Sequence, residues 1–536
     1  MTAAKRRRFN VSGPCFPSDH HMLPALARIP DVHGLIDLEH YFTLRAPRQS
    51  GKTTVVMAAV DRINDDGKYY ALYCSLGEIC NVSDKTEAMG MIIGNLASAL
   101  KVSRVDALKR TLGDSFSAGF HAWPDSGSSP VKAWLGALCA RLDKDLVVFF
   151  DEADCLGDQV LLSFLSQLRV GFAERPEVPF PRSMAFIGMR EIQYRKFGES
   201  TDPRSMAPIY PFNVIAKRLT LPNFTLAEVK DLYAQHTEAT GQSFEDGAAQ
   251  RAWFWSDGQP WLVNALALRS VEQVLGEDYG TAITAGHIDQ AAANLLGGRD
   301  NHIDYLLGHL SLPRLRRFFL PMLAGSENPA ILPNPFMGDD SLDDDFQLCL
   351  DLGLVKWDDL LRPANPVYAC AMVRYFNWHI QKNLPGELSG RWMDGRNLDM
   401  TGLLREFQRF WAHDPEKYLE GRVSADLGPH LLLSAYLQRV IGGGGSVIND
   451  LANGRGYAEI VVRYAGRDYP LWLTIGPNGP RRAEMPGLLA KRMAGLPAKE
   501  AWLVAFDLGR GKSLAGKNAW ETETMPNGSG IHLVGC

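Results

Sequence analysis

The stretch Thr43-Leu-Arg-Ala46-Pro-Arg-Gln-Ser-Gly51-Lys52-Thr53-Thr54 decides the fold of this chain. The β-rich run Tyr41 to Arg45 leads into it, and Lys52 to Ile63 follows, with Val55/Val56, Ala59/Val60 and Ile63 on one helical stripe. A strand, a glycine-bearing turn and a helix together form the setting in which a phosphate-binding loop works. Successive backbone N–H groups and the helix N-terminus present positive potential to phosphate oxygens, and Gly51 permits their close approach. Residues Ala46, Pro47, Arg48, Gln49, Ser50, Gly51, Lys52, Thr53 and Thr54 are therefore expected to hold ATP. Lys52 should reach the β- and γ-phosphates, and the Thr53 hydroxyl should hold Mg²⁺. Ala46 stands where such loops usually carry glycine; its methyl group removes no ligand.

A loop of this kind recurs by chance, so a second element is needed. Leu146-Val-Val-Phe-Phe150-Asp151-Glu152 supplies it, as a buried strand ending in adjacent carboxylates. Asp151 is expected to bind Mg²⁺ through its water shell, and Glu152 to orient and deprotonate the attacking water. The letters Asp151-Glu-Ala-Asp154 also spell a helicase box, but the other motifs of those helicases are not recognisable. Arg190 follows the apolar run Met184 to Gly188. That strand should lie beside the phosphate strand, which would bring the Arg190 guanidinium to the γ-phosphate as a third catalytic group. Arg218 is a weaker candidate, read first as a salt-bridge partner.

Length and composition bound the rest. A chain of 536 residues exceeds a single core, and 46% hydrophobic with 22% charged residues is an ordinary globular balance. Lys and Arg number 56 against 61 Asp and Glu, a net charge of −5, so no global positive field gathers nucleic acid or anionic lipid. No apolar run approaches the roughly 20 residues that cross a bilayer, and no membrane partner is expected. Lys5-Arg6-Arg7-Arg8 precedes polar Asn10, Ser12 and Gly13 and reads first as a solvated basic end, with a weak nucleic-acid or targeting contact as the second reading. The 8 Cys form no C-x-x-C pair, which predicts reduced thiols and a cytoplasmic location.

Further strands are expected at Tyr69 to Leu76 and Arg218 to Leu221, making a parallel α/β sheet with crossover helices. After Pro222 the text turns helical. Thr225-Leu-Ala-Glu228 is a capping box, Gly241 can close that helix, Ser243 to Asp246 opens a second, and Pro260 begins a third. Residues 300 to 382 carry more helical text, Pro385 to Asn397 reads as a linker, and the last unit mixes a helix at Leu431 to Val440 with strands at Ile460 to Tyr464 and Leu471 to Ile475.

With both boxes and Arg190 placed, the chain resembles the AAA+/STAND group of P-loop ATPases, specifically bacterial AAA-ATPase-like proteins with a C-terminal restriction-endonuclease-like domain. The resemblance rests on Phe9 to Pro17 with His20-His21-Met22, Tyr41 to Thr54, Asp151/Glu152, Pro211-Phe-Asn213 and Gly258-Gln-Pro260-Trp261. It implies an ASCE-type parallel sheet with a helical lid, then a winged helix, then a mixed α/β nuclease-like domain. The expected boundaries are a nucleotide-flanking segment (1–32), an ATPase core (33–221), a lid (222–299), a winged-helix-like domain (300–382), a linker (383–400) and a PD-(D/E)XK-like domain (401–536). It further implies that Gly13 to Met22 lies against the nucleotide base and that Pro260 contacts the base, although a proline fixing the first turn of the third lid helix explains the residue equally well.

An active nuclease of that type carries Asp after the Gly454-Arg-Gly456 turn and Glu-x-Lys on the next strand. Here those positions read Glu459 and Trp472-Leu473-Thr474. Tryptophan cannot ligate a metal and threonine offers no ammonium group, so the domain reads as a pseudonuclease, with Asp450 and Asp468 as candidate migrated acids. The expectation is a Mg²⁺-dependent ATP-binding and hydrolysing switch. The alternative is an ATP-gated DNA-binding or nuclease effector, with DNA held by the winged helix, where Arg314, Arg316 and Arg317 cluster, or by the last domain. A second copy of the chain or another protein is the remaining expected partner.

Overall fold

The computed structural model describes residues 6–29, 32–110, 129–189, 214–298, 300–323, 340–358, 361–382, 384, 392–394, 397–413, 428–441, 445–450, 459–475, 500–506, 520–524 and 530–536. They form two compact units, Met1–Trp253 with Gly258–Ala291, and Phe254–Asp257 with Ala292–Cys536.

The first unit is built on five strands: β1 (Tyr41–Arg45), β2 (Tyr70–Ser75), β3 (Leu146–Asp151), β4 (Ser183–Gly188) and β5 (Ile215–Thr220). Their order across the sheet is β2-β3-β4-β1-β5, and every pairing is parallel. As expected, the strand of Met184 to Gly188 lies beside β1. Parallel strands covered on both faces read as continuous apolar runs, and β3 and β4 are buried along their whole length. The two-residue period divides β3 between two cores. Val147 and Phe149 join Phe42, Leu44, Val55, Val56, Ala59 and Ile63 on one face, whereas Val148 and Phe150 join Leu72, Leu96, Phe164 and Phe186 on the other.

The helix Lys52–Asp66 ends at Gly67, whose φ of 68° supplies the left-handed C-cap. Three helices follow the sheet at the expected places. Leu226–Thr240 opens on the Thr225/Glu228 capping box and closes at Gly241; Asp246–Ser256 comes next, and Pro260–Arg269 has Pro260 in its first turn.

In the second unit, Asn301–Gly308, Pro313–Leu323 and Asp340–Asp351 are helical, a short antiparallel hairpin follows (β6 Val355–Trp357, β7 Leu361–Pro363), and Pro366–Gln381 is a long helix. Within 383–400, read as a linker, the described residues include a small hairpin (β8 Met393–Asp394, β9 Asn397–Leu398), and Asp399 caps the helix Met400–Trp411. The helix Gly428–Ile441 packs on Pro366–Gln381, where Asn377 Nδ2 donates to Ser434 Oγ at 2.6 Å between two buried residues. Beyond it lies a six-stranded mixed sheet of β10 (Gly445–Asp450), β11 (Glu459–Tyr464), β12 (Arg467–Ile475), β13 (Glu500–Phe506), β14 (Trp520–Thr524) and β15 (Gly530–Gly535), ordered β10-β11-β12-β13-β15-β14.

Candidate functional site at the phosphate loop

Ligands of open parallel sheets sit outside the carboxyl ends of the strands, and the loop leaving β1 between β4 and β5 lies there. Ala46 N donates to Gly188 O at 3.3 Å, which ties the start of the loop to the end of β4. Gln49 and Gly51 are left-handed, with φ of 63° and 86°. Glycine takes that conformation freely, whereas Gln49 holds it at a cost of order 1 kcal/mol or more. Lys52 Nζ donates to Ala46 O at 2.7 Å and to Pro47 O at 2.8 Å. Burial pulls the Lys52 ammonium down to about 8, against the opposing pull of Asp151, Asp154 and Glu152. Arg48 is exposed, and Ser50 is buried.

β3 delivers the carboxylates. Thr53 Oγ1 donates to Asp151 Oδ2 at 2.7 Å, although the two residues stand 98 apart in sequence. Tyr73 Oη donates to the same oxygen at 3.0 Å. Burial, and then the neighbouring Asp151 charge, push the Tyr73 phenol well above its usual range, so it stays a donor. Glu152 is exposed and left-handed, with φ of 57°. Its carboxylate accepts from Ser75 Oγ at 3.2 Å and lies so close over Gly77 that a Cβ there would fall 2.0 Å from Oε2. A side chain at Gly77 would therefore displace the Glu152 carboxylate from this position. Asp154 Oδ2 accepts from Met189 N at 2.9 Å and fixes the end of β4. Arg190, the next residue, lies outside the described residues.

The amino-terminal segment straps this site to the helices after β5. Cys15 N donates to Thr54 Oγ1 at 3.0 Å. Met22 and Gln235 exchange two hydrogen bonds, and Trp261 Nε1 donates to Val11 O at 2.9 Å. His21, buried against the rings of Phe9 and His236, is drawn down by burial to about 4 and is neutral at ordinary pH. Gly258 has φ of 71°, and a Cβ there would fall 1.9 Å from Phe224 O. Only glycine fits so near that backbone.

Several members of the site escaped the sequence reading: Tyr73, Ser75, Asp154, Arg28 and Gln259. For two of them the strand register supplies the reason. Ser75 is in register with Asp151, and Tyr73, two residues earlier, shares its face. The expectation of reduced thiols throughout is corrected at one pair, because Cys80 and Cys155 form a disulfide. They stand 75 residues apart, so no local spacing could reveal them. They meet because the turns after the adjacent strands β2 and β3 do. Cys15, Cys74, Cys139, Cys349, Cys370 and Cys536 are not disulfide-bonded.

Elsewhere the expected residues fare differently. Arg218 is exposed on β5, at the edge of the sheet. Arg314 pairs with Asp345 at 3.3 Å, and Arg316 donates to Leu310 O and Ser311 O; the Arg317 side chain lies outside the described residues. In the six-stranded sheet, Glu459 is directly opposite Trp472, which is 1% exposed. Asp468 is held by Arg463 through both oxygens, at 2.7 and 3.0 Å. The side chains of Glu459 and Asp450 lie outside the described residues.

Magnesium prefers oxygen donors and keeps several waters. The Thr53 hydroxyl and Asp151 carboxylate, already in contact, fit that preference. Among the described residues no cluster of three or more His, Cys, Asp or Glu forms an all-protein cage. No described helix is long and apolar enough to cross a membrane.

No family model matches the chain, and no curated protein matches it. Among solved structures it is similar to the Walker-type ATPase of Pyrococcus abyssi, at 14% identity over 68% of this chain and 99% of that one, with a TM-score of 0.48. It is also similar to the ORC2 protein of Aeropyrum pernix in ADPNP–ADP complexes, at 12% identity over 64% and 92%, TM-score 0.39. A third is the RuvB Holliday junction branch migration motor of Thermotoga maritima, at 15% over 61% and 86%, TM-score 0.32. Likenesses this low carry no activity over to this chain.

Proposed function

We propose that the chain is a Mg²⁺-dependent ATP-binding and hydrolysing switch of AAA+/STAND type whose last domain is a pseudonuclease. The observation that carries this reading is the contact of Thr53 Oγ1 with Asp151 Oδ2 at 2.7 Å, beside Glu152 and beneath a loop whose lysine is held within reach. The residues divide the work. Loop N–H groups cradle the phosphates, and Lys52 exchanges the Ala46 and Pro47 carbonyls for phosphate oxygens. Thr53 and Asp151 hold Mg²⁺, which would neutralise charge developing on the phosphates. Glu152 accepts the proton of the attacking water, with Ser75 orienting its carboxylate. Arg190, one residue past the Asp154-capped end of β4, is assigned to the γ-phosphate. Pro260 is assigned to the first turn of its helix and to the base edge.

In this reading residues 300–382 are a winged helix and 401–536 the nuclease-like domain, presented to DNA, to a second copy or to another protein when nucleotide changes the lid; the protein works in the cytoplasm. The buried Trp472 opposite Glu459 favours the switch over a nuclease. Isothermal calorimetry with Mg·ATP on the wild-type chain and on Lys52→Ala tests it. Saturable heat from the former and none from the latter is expected; no heat from the folded wild type ends the proposal.

A further inference from the structure

Planarity of the peptide unit sets each N–H opposite the preceding carbonyl. Pinning Gln49 O therefore aims Ser50 N–H the other way, and pinning Ser50 O aims Gly51 N–H. Both carbonyls are pinned, and by side chains from outside the loop. Gln259 Nε2 donates to Gln49 O at 3.2 Å. Its Oε1 meanwhile accepts from Leu262 N, capping the helix Pro260–Arg269. Arg28 donates through one guanidinium nitrogen to Ser50 O at 3.2 Å and through the other to Pro222 O, where the chain leaves the sheet.

Arg28 is 8% exposed, with its guanidinium carbon 4.7 Å from the centroid of the Phe224 ring. Burial pulls its guanidinium down to about 10. A buried cation is expensive to hold, and this one is met by two carbonyls and an aromatic face, all in or beside the loop and the start of the helical segment. Gln49, left-handed without being glycine, is the loop residue that most needs an outside hold.

We infer that Arg28 and Gln259 are positioning residues of the phosphate loop: they fix its two outward carbonyls, aim its N–H groups at the ligand, and join the loop to the helices after Pro222. Nucleotide then orders loop, amino-terminal segment and lid as one body. This rests on the proposed ATP site, and neither residue touches the ligand in it.

Two substitutions separate holding the loop from merely supporting the fold. Arg28→Met keeps an unbranched apolar stem and removes the donors together with the guanidinium over Phe224. Gln259→Ser keeps an N-cap but is too short to reach Gln49 O. Both variants should melt close to the wild type without nucleotide. Both should bind Mg·ATP about tenfold more weakly by calorimetry, lose most of the thermal shift that nucleotide confers, and lose its protection of the 222–299 segment from limited trypsin. Arg28→Lys, with one donor group for two carbonyls, should fall between. Combining Arg28→Met with Gln259→Ser should weaken binding by less than the product of the single effects, because both act on one loop. Wild-type binding with unchanged affinity and protection in both variants overturns the inference alone. A folded wild type that binds no Mg·ATP removes the ATP site, and this inference with it.

Discussion

In the five-stranded sheet, β3 runs out into Asp151 and Glu152, and neighbouring elements bring Thr53, Tyr73 and Ser75 to those carboxylates. In the six-stranded sheet, Glu459 at the start of β11 is the register partner of Trp472 on β12, a large buried side chain. The apolar interiors of the two sheets are alike: buried strands alternate their side chains between two faces. The difference lies in what stands beside the acid: a hydroxyl and a phenol donate to Asp151 at the end of β3, whereas the position opposite Glu459 on β12 is a buried tryptophan, and a metal needs several oxygen partners at once. Substitutions should therefore move binding and turnover in the first sheet and stability in the second.

Glu152→Gln should strike turnover hardest. Loss of the proton acceptor should slow hydrolysis by about 10²- to 10⁴-fold while Mg·ATP still binds, as phosphate release and calorimetry would show together. If hydrolysis survives, the proton goes elsewhere. Trp472→Ala should do the reverse. It should cost about 3–5 kcal/mol of stability in denaturant titration of the second unit, with nucleotide affinity unchanged. A stable Trp472→Ala protein would break the contrast, as would Mg²⁺- or Mn²⁺-dependent DNA cleavage that disappears in Glu459→Ala.

A smaller effect follows from Lys52. Its free-state value near 8 lies below the usual lysine range, and phosphate raises it. Below about pH 8 the ammonium is already charged and affinity should be flat. Above it, binding must take up a proton, so affinity should fall by up to about tenfold per pH unit. Calorimetry at pH 9 in two buffers of different ionisation enthalpy should register uptake of up to one proton; no uptake would mean that Lys52 is not the phosphate partner. The smallest effect sharpens the local reading: Thr225→Ala removes one half of a capping box and should cost roughly 1 kcal/mol of stability, with nucleotide affinity nearly unchanged.

Local chemistry explains which parts of the site were legible. Ala46 to Thr54 is a contiguous loop, and Asp151/Glu152 end a contiguous apolar run, so spacing along the chain finds both. Thr225/Glu228, Gly241 and Pro260 are punctuation marks that act within one turn of a helix. Tyr73 and Ser75 were hidden because their role depends on β2 lying beside β3, a pairing across an intervening stretch of more than 70 residues. Cys80 and Cys155 were hidden by the same pairing.

The sequence by itself determined the five strands of the first sheet, the loop and helix that follow β1, the paired acids and the capped helices beyond Pro222, because each is written in the apolar pattern or in the turn and cap residues of one contiguous stretch. Only the tertiary structure decided that Thr53 touches Asp151, that Arg28 and Gln259 hold the back of the loop, and that Trp472 is buried opposite Glu459. The contacts of Thr53, Arg28 and Gln259 join residues 22 to 210 positions apart, the burial of Trp472 depends on the whole sheet around it, and neither leaves a period or spacing in the chain.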